Sequence, residues 1–236
     1  MAEKYNRILL KLSGEVLAGE AGHGFDFDVI ESICQAIRKV TDMGVQVGIV
    51  IGGGNFWRGR SSGSMDRSRA DSIGMLGTVM NSIAVADTLI ANGVPAKVYS
   101  AISMAPAAEL FDVEKVKEDL DAGKVTIFGG GTGNPFFSTD TAGALRAAQI
   151  GADVIFKATN VDGVYDKDPN KFDDAVKYDT LTQSELLEKG LSVMDAAAAS
   201  LCRDNDIDIL VFNLTDPENI VRAVIGDNIG TVVSSK

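Results

Sequence analysis

Short apolar segments alternate along this chain with longer segments whose apolar residues recur at helical spacing. The apolar segments include RILLKL at 7–12, VQVGIVI at 45–51 and ADVIFKA at 152–158. They are too apolar for a sheet with one wet face, so both faces are expected to be buried. This order predicts an α/β protein with a mostly parallel sheet and helices on both faces.

The boundaries follow from the same spacing, helped by glycines after helices and by turn residues. Further strands are predicted at 96–102, 124–128, 208–212 and 230–234, and the segment 160–178 is predicted to be a polar loop. Helices are predicted at 28–43, 71–91, 114–123, 140–150, 184–188, 195–205 and 217–225. No linker or low-complexity stretch divides the chain, so residues 1–236 are expected to form a single domain.

Composition excludes several classes of partner. The formal net charge is −11, which argues against general binding of nucleic acid or of anionic membranes, because both require basic surface. The charged start and the lack of a long apolar stretch predict no signal peptide and no membrane span, hence a cytoplasmic protein. Cys34 and Cys202 are expected to be buried free thiols. His23, the sole histidine, is expected on a surface loop.

Two predicted strands end in three consecutive glycines, in IGGGNFWRGR at 51–60 and FGGGTGNPFFSTDT at 128–141. Ligands of open parallel sheets bind outside the carboxyl ends of the strands. Glycines there let backbone N–H groups approach an anion together, so two such turns favour phosphate binding. The alternative is a pair of tight turns that need positive φ. The dinucleotide and P-loop fingerprints are absent.

Two lysines, Lys11 and Lys157, come late in apolar strands. Each is either a lysine that reaches out of the sheet edge or a buried ammonium that needs an anionic partner. Arg58 follows the first glycine turn and offers a planar donor fork for phosphoryl oxygens. Cations and glycine turns at strand ends suit phosphoryl transfer, in which the protein aligns the reactants and neutralises negative charge.

Five segments together give the sequence a family resemblance. The chain resembles the bacterial UMP kinases of the amino-acid kinase superfamily through RILLKLSGE, VGIVIGGGNFWRG, GTGNPFFSTDTAG, KATNVDGVYDKDP and VMDAAA, in that order. The resemblance implies a three-layer α/β/α sandwich and transfer of the ATP γ-phosphoryl group to UMP. It implies an acceptor lobe at about 1–150 and an ATP lobe at about 151–236. It also implies a homohexamer, GTP as activator, UTP as inhibitor, and Mg²⁺ held largely by the nucleotide phosphates.

The resemblance also implies roles for single residues, with no protein ligand assigned to the metal. Lys11 and Arg58 would stabilise the transferred group, Asp140 would orient the lysines, and Asp195 would act electrostatically. The implied UMP contacts are Gly53, Asp71, Thr132, Gly133, Asn134, Pro135, Phe136, Phe137, Ser138 and Thr139. The implied ATP contacts are Lys11, Leu12, Ser13, Gly14, Gly54, Arg58, Thr159, Asn160, Tyr165 and Asp168.

One departure and two alternative functions remain open. The GGM-x-x-K segment that supplies a second catalytic lysine in acetylglutamate kinases is missing, and LSVMDAAAA stands in its place at 191–199. Arg58 or Lys157 is expected to supply that charge. The alternatives are a kinase of the same fold that acts on a carboxylate or carbamate, and a nucleotide sensor without catalysis.

Overall fold

The computed structural model describes residues 4–57, 63–191 and 193–235. Helices and strands alternate through these ranges. The helices are α1 (Phe27–Asp42), α2 (Arg67–Ala91), α3 (Val113–Asp121), α4 (Thr139–Ile150), α5 (Gln183–Glu188), α6 (Ala196–Asp204) and α7 (Glu218–Val224), with a 3-10 helix at Gly14–Ala21. The strands are β1 (Arg7–Leu12), β2 (Gln46–Ile51), β3 (Ala96–Ser100), β4 (Glu109–Leu110), β5 (Val125–Gly129), β6 (Val154–Thr159), β7 (Val164–Tyr165), β8 (Lys177–Tyr178), β9 (Thr180–Thr182), β10 (Asp208–Asn213) and β11 (Gly230–Ser234).

Nine of these strands form one sheet in the order β4-β3-β5-β2-β1-β6-β10-β11-β9. Its pairs are parallel except β10 with β11. The central strand β1 pairs with β2 on one side and with β6 on the other, so the strands before residue 150 and the strands after it meet at the middle of the sheet. The predicted mostly parallel sheet is confirmed.

Helices cover both faces of this sheet. On one face, residues of α1, α2 and α7 pack with Ile8, Leu10 and Leu12 of β1 in a buried cluster. On the other face, residues of α3, α4, α5 and α6 pack with Leu9. Successive side chains of a strand point to opposite faces, so Lys11 lies on the same face as Leu9 and α4. The predicted three-layer sandwich is confirmed.

Helix boundaries follow side-chain caps. Asp26, Ser138 and Asp195 each accept hydrogen bonds from backbone N–H groups at the starts of α1, α4 and α6. The long helix α2 begins at Arg67 rather than at the expected Asp71, because Asp66 caps it through the backbone N–H of Arg69. Asp71 therefore lies one turn inside the helix.

Several short elements escape the sequence prediction. The predicted polar loop 160–178 contains the antiparallel pair β7–β8, and the 3-10 helix and the short strands β4 and β9 lie where no element was predicted. The missed strands have only two or three residues each, too few side chains to show a periodicity. Their pairing is set by contacts that are distant in sequence, such as the parallel pairing of β9 with β11.

The expectation that no apolar stretch reaches membrane-spanning length is wrong for α2. This helix is long and apolar enough by length and composition alone. However, 44% of its most apolar 18-residue stretch is buried inside the protein, where the helix packs against β5, β3 and α1. The core helix of a soluble domain passes the same test of length and composition.

The expected positions of three other residues are confirmed. Cys34 and Cys202 are buried free thiols, and burial raises the pKa of each to about 12. His23 is exposed in the loop after the 3-10 helix, with Nδ1 3.1 Å from the carbonyl oxygen of Ala21.

The centre of the sheet gives a test of the fold. Phe212 is fully buried and meets Phe156 edge to face, with 5.8 Å between ring centroids. We expect Phe212→Ala to lower the free energy of unfolding by about 3–5 kcal/mol, because it leaves a cavity in the core. Urea unfolding measures this loss. The control is Phe27→Ala, whose side chain is 62% exposed and whose loss should cost less than about 1 kcal/mol. Equal losses would contradict the assignment of the core.

Candidate active site

Two lysines and one aspartate meet where β1 and β6 end. Lys11 of β1 lies directly opposite Lys157 of β6 in the parallel register. Asp140, in the first turn of α4, lies between them, with Oδ1 2.8 Å from Lys11 Nζ and Oδ2 2.5 Å from Lys157 Nζ. All three side chains are less than one fifth exposed. The predicted strand-end lysines are thus held by one carboxylate.

Burial and charge act against each other in this cluster. Burial raises the pKa of Asp140, but the charges of Lys11 and Lys157 outweigh it, and the net pKa lies below the usual value. Burial lowers the pKa of Lys157, and the Asp140 charge opposes that shift only in part. With one carboxylate for two ammonium groups, the cluster carries an excess of positive charge. An anion at the strand ends would stabilise it.

Asp195 links α4 to α6. Its carboxylate accepts hydrogen bonds from the hydroxyls of Ser138 and Thr141, and it caps α6 through the backbone N–H of Ala198 at 2.8 Å. Its charge also helps to raise the pKa of Lys157. Asp195 therefore fixes the start of α4, which carries Asp140, and adds a weak electrostatic effect.

The two glycine turns follow adjacent strands, because β2 pairs with β5. In the second turn Gly130 and Gly131 have φ of 76° and 58°, which favours glycine. The glycines of the first turn have no positive φ, and at Gly53 a close approach to α2 requires glycine. A Cβ on Gly53 would lie 2.6 Å from the carbonyl oxygen of Gly74 in α2. The alternative of two positive-φ turns therefore holds for the second turn only.

A cavity of about 210 Å³ opens between these turns and α2. The predicted acceptor contacts line it, except for Gly133, Pro135 and Phe136. The sequence interpretation missed several residues of its wall. These are Trp57 after the first turn, Ala70, Gly74, Met75 and Thr78 of α2, and Gly131 of the second turn. The helical spacing of the α2 residues is the signal that could have found them, since Ala70, Gly74 and Thr78 recur every four residues on the face that carries Asp71.

Asp71 connects α2 to the loop after the second turn. Its Oδ2 accepts a hydrogen bond from the backbone N–H of Phe136 at 2.8 Å, and its oxygens lie 3.0 and 3.1 Å from Nε of Arg67. The guanidinium of Arg67 lies over the Phe136 ring, 5.6 Å from its centroid. Phe136 is 65% exposed and has a φ of 72°. Asp71 thus stands at the cavity with its carboxylate already oriented.

A second cavity, of about 700 Å³, lies beyond the end of β6. Thr159, Tyr165 and Asp168 line it as expected, whereas Asn160 lies outside its lining. The phenol of Tyr165 donates a hydrogen bond to Asp162 at 2.6 Å. The sequence interpretation missed the lysines of this cavity and the apolar residues behind them. These are Lys167, Lys171, Lys189, Leu191, Val193 and Val211.

The segment after β1 packs against the first glycine turn. Ser13 caps the 3-10 helix through the backbone N–H of Glu15. Gly14 must be glycine, because a Cβ would lie 2.3 Å from the carbonyl oxygen of Gly52. Leu12 is buried. Gly54 lies close to the same segment, because a Cβ on it would lie 3.0 Å from Oε1 of Glu15. Arg58, a predicted catalytic residue, lies outside the described residues.

Known proteins share this fold. Residues 6–213 match the model of the amino acid kinase family. The crystal structure of UMP kinase from Bacillus anthracis is 36% identical, with a TM-score of 0.95 over 98% of this chain and 97% of that one. UMP kinase from Ureaplasma parvum is 37% identical, with a TM-score of 0.93 over 98% and 99% of the two chains. Uridylate kinase from Archaeoglobus fulgidus is 31% identical, with a TM-score of 0.73 over 96% and 99%.

The lysine–aspartate cluster predicts an unusual dependence of stability on pH. We expect Asp140→Asn to lower the free energy of unfolding near neutral pH by about 3–5 kcal/mol, because Lys157 stays buried without its carboxylate. The loss should shrink at alkaline pH. Burial already lowers the pKa of Lys157 in the folded state, and the loss of the Asp140 charge should lower it further. At alkaline pH the unfolded variant then binds more protons than the folded variant, so the stability of the variant rises with pH. Urea unfolding at neutral and alkaline pH measures both effects.

In the wild type, the contribution of Asp140 also rises with pH, but it does so in the acid range. Its folded pKa is lowered, so the contribution is present above the unfolded pKa and is lost only as the pH falls through the folded value. The control is Asp42→Asn, which breaks an exposed pair with Arg38 and should cost less than about 1 kcal/mol. A variant at Asp140 with wild-type stability at neutral pH would contradict the description of the cluster.

Proposed function

The chain belongs to the amino acid kinase family, and from this premise we propose that it transfers the γ-phosphoryl group of ATP to UMP, giving UDP and ADP. The observation that carries the proposal is the Lys11–Asp140–Lys157 cluster with a cavity on either side. Thr139, next to Asp140, lines the smaller cavity, and Thr159, two residues after Lys157, lines the larger one. Solved UMP kinases that match nearly the whole chain support the choice of acceptor.

The two lysines would serve the transferred group. Little covalent chemistry falls to the protein in phosphoryl transfer, so its contribution is alignment and neutralisation of spreading negative charge. Lys11 and Lys157 supply donors from adjacent strands, and Asp140 holds both ammonium groups in place. We assign the second positive charge to Lys157, since it shares the carboxylate of Lys11. Asp195 would position the start of α4.

The smaller cavity would bind UMP and the larger one the adenosine half of ATP. Asp71 would accept hydrogen bonds from the ribose, and residues 132–139 would surround the uridine and its phosphate. The glycine turns would offer backbone N–H groups to phosphate. Tyr165 and the apolar residues Leu191 and Val211 would pack against the adenosine half, with Thr159 and Asp168 as polar contacts in the cavity. We keep Asn160 as a proposed contact beside Thr159, at the margin outside the cavity lining.

Magnesium would arrive with the nucleotide. Among residues 4–57, 63–191 and 193–235, no group of three His, Cys, Asp or Glu side chains is arranged to hold a metal ion. Asp140 is already paired with two lysines. These residues fit Mg²⁺ as an ion held mainly by phosphate oxygens and water, as is usual in kinases, where it neutralises phosphate charge.

Assembly and regulation complete the proposal. We propose a cytoplasmic homohexamer that GTP activates and UTP inhibits, as the family resemblance implies. For assembly, α2 offers a surface. Its outer face exposes apolar side chains about one or two turns apart, namely Ile73, Leu76, Met80, Ile83 and Ile90. A contiguous exposed apolar patch of this kind is typical of a contact with another protein, here a second copy of the chain.

An assay of ADP release tests the proposed reaction. With ATP as donor, we expect turnover with UMP and much slower turnover with CMP or dUMP. Lys11→Ala should lower kcat by about 10³-fold, since it removes a charge at the transferred group. Lys39→Ala is the matched control, because Lys39 is a half-exposed lysine of α1 that pairs with Glu218 of α7, on the sheet face opposite to Lys11. The kcat of this variant should be unchanged.

The same assay separates the two alternatives. Turnover with acetylglutamate, aspartate or carbamate, but not with UMP, would favour a kinase for carboxylate or carbamate acceptors. A wild-type chain that binds UMP and ATP in calorimetry yet forms no UDP would be a nucleotide sensor. Either outcome would overturn the proposed reaction.

Charge placed on the outer face of α2 tests the assembly. We expect the double variant Leu76→Glu, Met80→Glu to dissociate the oligomer, because paired carboxylates would be buried in an apolar contact without partners. Light scattering after size exclusion measures the mass. Phe172→Glu changes an apolar side chain of similar exposure elsewhere and should leave the mass unchanged. A hexamer that survives the double variant would show that the α2 face is not the contact.

A further inference from the structure

Two buried polar residues of α2, Thr78 and Asn81, have no assigned role in the proposed reaction. They lie one turn apart on the inner face of the helix, opposite the exposed residues Leu76, Met80 and Ile83. Asn81 is fully buried and Thr78 is 3% exposed. Buried polar groups carry a desolvation cost that only well-formed hydrogen bonds offset, so their partners reveal what these residues hold.

Asn81 holds the first glycine turn. Its Nδ2 donates to the carbonyl oxygen of Gly52 at 2.6 Å and to Oδ1 of Asn55 at 2.8 Å. The Asn55 amide returns a hydrogen bond to Oδ1 of Asn81 at 2.9 Å and donates to the carbonyl oxygen of Gly24 at 2.8 Å. The two amides thus form a closed, buried pair that spans α2, the turn and the loop after the 3-10 helix.

This pair fixes the direction of one peptide group. In a trans peptide the carbonyl oxygen and the following N–H point in opposite directions. The carbonyl oxygen of Gly52 points at the buried side chain of Asn81, so the N–H of Gly53 points away from Asn81. Gly53 lines the smaller cavity. Reversal of this peptide would present a carbonyl oxygen to the position where a phosphate is expected.

Thr78 holds the second glycine turn. Its Oγ1 accepts a hydrogen bond from the backbone N–H of Gly130 at 2.8 Å and donates one to the carbonyl oxygen of Met75 at 2.6 Å. Gly131, the next residue, lines the same cavity as Thr78. The hydroxyl thus ties the turn after β5 to the helix that also holds the turn after β2.

Glycines let the helix come close enough for these bonds. A Cβ on Gly129 would lie 2.9 Å from Cγ2 of Val79, and one on Gly53 would lie 2.6 Å from the carbonyl oxygen of Gly74. Both turns therefore rest on the same stretch of α2. Because one rigid helix contacts both turns, it fixes the position of one turn relative to the other.

We propose that Thr78 and Asn81 are positioning residues for the phosphoryl acceptor: through them, α2 orients both glycine turns so that their backbone donors face the acceptor phosphate. The inference rests on the proposed function. A role in packing alone would weaken the whole protein without favouring one part of the ligand. A positioning role affects the phosphate specifically, because uridine lacks the phosphate that the N–H groups of the turns are proposed to bind.

The main test compares UMP with uridine in calorimetry, alongside kcat. Asn81→Asp keeps the side-chain shape but turns an oxygen toward the Gly52 carbonyl, and Thr78→Val removes the hydroxyl. In each variant we expect the preference for UMP over uridine to fall by about tenfold or more, because the loss of one hydrogen bond has an effect of about that size. Affinity for uridine should stay within about twofold of the wild-type value, and kcat should fall by at least as much as the affinity for UMP. Thr78→Ser, which keeps the hydroxyl, should have the wild-type values.

Controls separate positioning from stability. Asn92→Ala removes a side-chain amide at the C-terminal cap of α2, where it bonds Glu31 and Thr88 far from the cavity. The preference of this variant for UMP over uridine should be that of the wild type. Equal losses of UMP and uridine affinity in Thr78→Val, or no loss at all, would overturn the proposal. The two Thr78 variants keep the test decisive where Asn81→Asp fails to fold.

Hydrogen exchange gives a readout that needs no nucleotide. In the ligand-free protein, Thr78→Val should speed exchange of the Gly130 amide by about tenfold or more, because its only described acceptor is the Thr78 hydroxyl, and Thr78→Ser should not. If the wild type binds no UMP, the proposed function fails while this measurement still decides whether Thr78 holds the turn. Unchanged exchange in Thr78→Val would overturn the proposal on its own.

Discussion

The pairing of Lys11 and Lys157 with Asp140 is the constraint on which the site depends. Parallel register puts the two lysines side by side on neighbouring strands, and their positive charges repel each other in a largely buried place. One carboxylate offsets only part of that cost. The fold therefore holds a cationic site at the ends of its central strands, which suits a phosphoryl group that gains stabilisation as its charge spreads.

Asp140 can serve both lysines because the start of α4 is fixed. Ser138 caps the helix, and Asp195 binds the hydroxyls of Ser138 and Thr141 from the next helix on the same face. A helix N-terminus favours a negative side chain in its first turn, so the position of Asp140 costs the helix nothing. The carboxylate of Asp195, for which the family resemblance implies an electrostatic role, also holds the helix that carries Asp140.

The sequence predicts the strands of five or six residues, the α-helices and the strand-end lysines, because each leaves a local signal. It does not predict that Lys11 faces Lys157, since β1 and β6 lie far apart in the chain and their register comes from the whole sheet. Thr78 and Asn81 escape for a related reason. A threonine or asparagine within a helix looks like a surface residue, and only the packing of α2 against two glycine turns reveals its partners.

The helix α2 therefore has two faces with different tasks. Its inner face holds both glycine turns, and its outer face is the proposed contact with a second copy of the chain. Thr78 and Asn81 lie within one turn of Met80, so a shift of the helix at the subunit contact moves both turns together. In such an oligomer, acceptor geometry and subunit contact share one rigid element. An effector that alters the contact would then change the site through α2, without a contact to the bound nucleotide.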